Sequence, residues 1–137
     1  MLKVAECPFC LIREGEREKI LFEDDKVFVI LSKKQITRGH ALVISKQHVD
    51  SYFDLSEDVA LRMVAVAREI GPKILAGVGA PGCLLSVNVG EAARRSVPHA
   101  HVHIIPRFFD DGLAEWDRPD AAPEELASLY AHLRKYL

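Results

Sequence analysis

The segment PHAHVHIIPR, residues 98–107, carries a histidine at every second position, His99, His101 and His103, with Ala100, Val102 and Ile104 alternating with them. A period of two is the pattern of a β-strand, because successive side chains leave an extended backbone on opposite faces. The spacing predicts one strand with all three imidazoles on one face, a chemical surface, and the apolar side chains on the other, turned to the core. A lone histidine on a strand is usually half-buried or solvated with an ordinary partner. Three in register gain nothing from packing, since histidine is a middling strand former and each ring has two nitrogens to satisfy.

Strand geometry limits what such a row can do. Same-face neighbours stand about 6.5–7 Å apart, which separates His99 from His103 by about 13 Å. Two neighbours can share a metal ion, but bonds of about 2.1 Å keep all three from converging on one. At least one histidine therefore has a task other than ligation. Other ligands are available in CPFC, where Cys7 and Cys10 have the C-x-x-C spacing that lets two thiolates bind one zinc ion. A redox pair of the thioredoxin type would follow a strand, and no strand precedes these cysteines. The tetrahedral site needs two more ligands from His40, His48, His132 and the triplet. His48 follows the apolar run ALVIS, so Cys7, Cys10, His48 and one terminal histidine of the triplet form an economical closed site. With no open position, its zinc would be structural and any catalysis would fall to a free histidine.

Composition fits a small globular domain. The chain has 137 residues, enough for one domain with a real core, and a formal net charge of -2, which argues against a general nucleic-acid coat or attraction to a membrane surface. No apolar run approaches the length of a membrane span, and the N-terminus lacks the apolar region of a signal peptide. A reducing cytoplasmic location is expected, with the third cysteine, Cys83, as a buried thiol in CLLSV.

The order of elements is α+β, as one domain over residues 1–137. KILFED and VFVIL, separated by Asp24 and Asp25, read as a hairpin, and ALVIS as a third strand. Ser56 is a candidate N-cap ahead of Glu57 and Asp58, and Val59, Met63, Val66, Ala67 and Ile70 recur at helical spacing, with Gly71 and Pro72 expected to end or kink the helix. GVGAPG reads as a turn cluster, CLLSVNVG as a fourth strand and the triplet as a fifth. A loop with Trp116 follows over residues 108–120. Pro123, Glu124 and Glu125 then open a short terminal helix bearing Leu126, Leu129, Tyr130, Leu133 and Leu137. The result is a five-stranded antiparallel sheet with one long packed helix and a short C-terminal one.

In combination, CPFC, EDDKVFVIL, GHALVISKQHV and NVGEAARRSVPHAHVHIIPR resemble the histidine triad (HIT) superfamily, and most nearly the zinc-bearing members of its Hint-like branch. The resemblance spans nearly the whole chain in the right order. It implies a homodimer that binds nucleoside monophosphates or their conjugates and hydrolyses or transfers at the α-phosphorus. It also implies His101 as nucleophile and His103 as its phosphate-contacting neighbour. His99 joins Cys7, Cys10 and His48 at a structural zinc. Asn88 matches the N-x-G asparagine on the leaving-group side, Ser96 a hydroxyl that contacts phosphate, and His40 the G-H histidine that supports the catalytic strand.

The chemistry suits these roles. A neutral imidazole has one lone pair free to attack phosphorus, and a hydrogen bond from its other nitrogen fixes which one. Four positions depart from the family pattern. Ser32 stands where the family carries the aspartate that grips both ribose hydroxyls, Arg94 and Arg95 stand for Gly-Gln, and Arg38 for the proline before Gly39. A hydroxyl cannot grip a diol as a carboxylate does. Arg95 abuts the phosphate position, whereas Lys33, Lys34, Arg38 and Arg94 read first as ordinary solvated loop charges and, as the alternative, as a cationic rim with Arg95 suited to polyphosphate or an adenylated nucleic-acid end. A competing expectation is a zinc-stabilised nucleotide-binding or sensing module with negligible turnover.

Overall fold

The computed structural model describes residues 3–114 and 119–137; Trp116 lies outside the described residues. Five strands, β1 (Ile20–Glu23), β2 (Val27–Leu31), β3 (Ala41–Ser45), β4 (Gly82–Ser86) and β5 (His101–Arg107), form one antiparallel sheet in the order β1-β2-β3-β5-β4. Helix α1 (Pro8–Gly15) precedes the sheet, α2 (Glu57–Val78) connects β3 to β4, and α3 (Pro123–Leu133) follows β5. Inserting β5 between β3 and β4 puts the histidine strand in the interior of the sheet, where backbone pairing on both sides fixes its side chains.

The period-two pattern divides the two faces. Val27, Val29, Ala41, Val43, Val102 and Ile104 pack against Val59, Met63, Val66 and Ala67 of α2. On the reverse face, Phe28, Ile30, Leu42 and Ile44 pack against Cys7, Phe9 and Cys10 of the N-terminal segment. His101 is registered with Ile44 and His103 with Leu42, so both histidines belong to this second face. The face is thus partly a core in its own right, roofed by α1.

Four local expectations are corrected. The strand begins at His101, and His99 lies just ahead of it, where His99 N–H donates to Val97 O and Ala100 N–H to Val49 O instead of to a strand ladder. Helix α2 runs through Gly71 and Pro72 to Val78, because Ile74 continues the apolar face against the core; it ends at Gly79 (φ 70°), with Ala80 N–H donating to Leu75 O. β4 stops at Ser86, leaving Val87 to Gly90 outside the strand. Cys83 is exposed on β4, since this strand forms an edge of the sheet. α1 itself was not anticipated. Among the described residues no helix is long and apolar enough to cross a membrane.

Candidate functional site

The site is a row of imidazoles with a cluster of sulfur ligands at one end. α1 begins with Pro8 at its first position, and the Cys7 sulfur caps it by accepting from Cys10 N–H at 3.5 Å. The helical turn brings Cys7 and Cys10 together, while the loops before β5 and after β3 supply His99 and His48. One ligand atom from each of the four lies within 4.8 Å of all the others. Cys7 Sγ is 3.2 Å from His99 Nδ1, Cys10 Sγ is 3.2 Å from His48 Nδ1, and the two Nδ1 atoms are 3.1 Å apart. Tetrahedral zinc with ordinary Zn–S and Zn–N bonds requires ligand separations of about 3.3–3.8 Å, so the donor set fits zinc with small adjustments. Electrostatics agrees. Burial, together with the neighbouring Cys7, pushes the Cys10 thiol up to about 12, so its thiolate forms at neutral pH only beside a cation.

Each ring in the row has its tautomer set by its second nitrogen. His99 Nε2–H donates to Ser45 O at 2.6 Å, which leaves Nδ1 with its lone pair toward the sulfurs. His101 Nδ1–H donates to His99 O at 2.6 Å and leaves Nε2 unprotonated. Ile36 N–H donates to His40 Nδ1 at 3.3 Å, and His40 Nε2 is 2.9 Å from His103 Nδ1; with the His40 proton on Nε2, the His103 proton resides on Nε2. Burial lowers the affinity of His99, His101, His103 and His40 for a second proton, bringing His99 and His103 to about 4. At neutral pH the row is uncharged and presents one nucleophilic nitrogen next to one N–H donor.

The surrounding loops hold this arrangement. Gly39 adopts φ +94°, and a Cβ there would meet Val78 at 3.0 Å and Pro106 at 3.2 Å, so the residue before His40 is glycine for both conformation and space. Gln35 receives Gly39 N–H and donates to Ser32 O and His40 O, and Thr37 Oγ1–H donates to Pro106 O at 2.5 Å. Neither Gln35 nor Thr37 was singled out in the sequence, where a polar loop residue looks like any other. Ser32 Oγ–H donates to Lys34 O within the same loop. On the opposite side Asn88 Nδ2–H donates to Ala93 O at 2.5 Å, Ser96 is exposed, and Arg95 Nη1 pairs with Asp50, two residues beyond His48. Arg95 Nε is buried without a hydrogen-bond partner. His132 lies on α3 beside Tyr136, apart from the Cys2His2 set.

Comparison with known proteins agrees with this geometry. The HIT domain model matches residues 13–110. A crystal structure of a member of the HIT family from Bacillus subtilis superposes with a TM-score of 0.83, at 32% identity and 96% coverage of both chains. That of a zinc-bound histidine triad family protein from Mycobacterium smegmatis gives 0.74 at 32% identity, covering 98% of this chain and 100% of that one. Among curated relatives, the adenylylsulfatase HINT3 of Arabidopsis thaliana is 35% identical over 103 residues, 74% of this chain and 52% of that protein. The chain belongs to the HIT family. The Cys2His2 cluster and the zinc-bound relative support its assignment to the zinc-bearing branch.

Proposed function

We propose that this protein is a nucleotide hydrolase or transferase acting at the α-phosphorus of a nucleoside monophosphate conjugate through a covalent nucleotidyl-His101 intermediate. The observation that carries this reading is the His101 tautomer: with Nδ1–H held by the His99 carbonyl, the lone pair is on Nε2. Attack forms the Nε2–P bond, and the P–X bond breaks with its electron pair leaving on X, which takes up a proton. The positive charge gained by the ring is stabilised by the same carbonyl. Water then adds to phosphorus, the N–P bond breaks back onto Nε2, and the water proton is released. His103 Nε2–H, Ser96 and nearby backbone N–H groups bind the phosphoryl oxygens, where charge develops, and Asn88 serves the leaving-group side. His40 keeps the His103 proton on its outer nitrogen.

Cys7, Cys10, His48 and His99 would hold the zinc, whose role would be structural, because four protein ligands leave no position for substrate or water. Thiolate ligands suit a reducing, cytoplasmic compartment. A homodimer is supported by the edge strand β4, where Leu84 and Leu85 are exposed, and by exposed Leu61 and Val64 on α2. The relative named adenylylsulfatase supports an adenylate as the nucleotide. A non-catalytic nucleotide-sensing module is the second reading, favoured by Ser32, whose hydroxyl bonds its own loop and leaves no carboxylate for the ribose.

The test is turnover of an adenosine 5′-phosphoramidate with AMP release. His101→Ala is expected to lower kcat by at least about 10³-fold while AMP affinity stays within about threefold. Mass spectrometry of the quenched wild-type protein should find the nucleotidyl adduct on His101. Undiminished hydrolysis by the variant overturns the mechanism, and a wild-type protein that binds AMP without turnover selects the sensing module.

A further inference from the structure

Phe9, between the two cysteines, has no part in ligation, yet it is buried at 6% exposure on the second face of the sheet. Its ring meets His101 edge to face, with centroids 5.1 Å apart and planes at 79°, and meets the ligand His99 at 5.8 Å and 69°. His103 closes the other contact of the His101 ring at 4.8 Å and 64°. The hydrogen bond to His99 O fixes one nitrogen of His101, but a single bond leaves the ring free to rock about it. Contact from Phe9 removes that freedom. Phe9 itself is held by the first turn of α1, whose place is set by Cys7 and Cys10 in the cluster.

We infer that Phe9 is a positioning residue for the His101 ring, and that through Phe9 and the His99 carbonyl the Cys2His2 cluster sets the orientation of the nucleophile. His99 has two roles, since its side chain belongs to the cluster and its carbonyl orients the next histidine in the row. The inference rests on the assignment of His101 as nucleophile. It makes a metal site with no open position matter to the chemistry without touching substrate.

The test uses the full-length zinc-loaded protein and Phe9→Leu, which keeps an apolar side chain but removes the ring. Expected are unchanged zinc content by elemental analysis, KM for the adenosine phosphoramidate within about twofold, and kcat lower by about tenfold or more. In ¹⁵N NMR the His101 ring should pass from the single Nδ1–H tautomer to a mixture. Wild-type kcat with a single tautomer in a zinc-loaded variant overturns the inference. Should the variant not fold, the wild-type protein is treated with a chelator: altered His101 ring signals in folded, metal-free protein support the inference, and unchanged ones overturn it. The ring signals are read without turnover. They therefore judge Phe9 even if His101→Ala retained hydrolysis and so disproved the nucleophile.

Discussion

The row of histidines has a closed end and an open end. At the closed end, Cys7, Cys10, His48 and His99 are within reach of one another, and the backbone carbonyl of Ser45 accepts from His99 Nε2–H. At the open end, His103 is half-buried, Ser96 is exposed, and the Ser32 hydroxyl is engaged only with its own loop. The closed end satisfies its polar groups internally; the open end leaves groups for a ligand to satisfy. His101 stands between them, buried, with Nδ1–H bonded to His99 O and the lone pair on Nε2. The comparison shows how one β-strand and its approach can serve stability and chemistry by a gradation of burial instead of by separate domains.

Breaking the closed end should have the largest effect on stability. Purified protein is expected to contain about one zinc per chain, and Cys10→Ser should lower both zinc content and stability, by roughly 3 kcal/mol or on the order of 10 °C in melting temperature. Full zinc occupancy and an unchanged melting temperature in a variant lacking both cysteines would remove the distinction between the two ends.

At the open end the expected effect concerns selectivity. Without a carboxylate at position 32, AMP and its 2′-deoxy analogue should bind within about tenfold of each other, a difference below about 1.4 kcal/mol. Ser32→Asp should restore preference for the ribonucleotide, as read by calorimetric titration. Strong rejection of the deoxy analogue by the wild-type protein would show that another group grips the sugar. Arg95 bears on the same end. It was expected as a phosphate ligand, but its guanidinium already pairs with Asp50, so a polyphosphate would have to compete for that charge.

The smallest expected effect lies between the ends, in the turn before β5. Arg94 is the one non-glycine residue with positive φ, at 60°, among the described residues. A left-handed conformation costs a side-chain-bearing residue about 1 kcal/mol, so Arg94→Gly should raise the urea midpoint by an amount corresponding to a gain of up to about 1 kcal/mol. No change, or a loss, would mean that the arginine side chain makes compensating interactions.

Hydrophobic period was enough to find β1, β2, β3 and β5, the apolar face of α2 and the start of α3, because alternation or helical spacing states directly which side chains must leave water. The C-x-x-C spacing and the row of histidines likewise made Cys7, Cys10 and His48 with one terminal histidine of the triplet readable as a donor set, while the choice of His99 came from the family resemblance. What the sequence could not state is anything decided by contacts between distant segments. Pro72 reads as a breaker, yet burial of Ile74 carries α2 past it. Cys83 reads as core, yet its strand is an edge. His99 reads as the first residue of a strand, yet the Val49 carbonyl draws the next residue's N–H out of register. The tautomers of His101 and His103, the Asp50–Arg95 pair and the Phe9 contact depend in the same way on long-range packing. Residue type determines which chemistry a side chain can offer; only the tertiary structure supplies the second hydrogen-bond partner that decides which atom of an imidazole offers it.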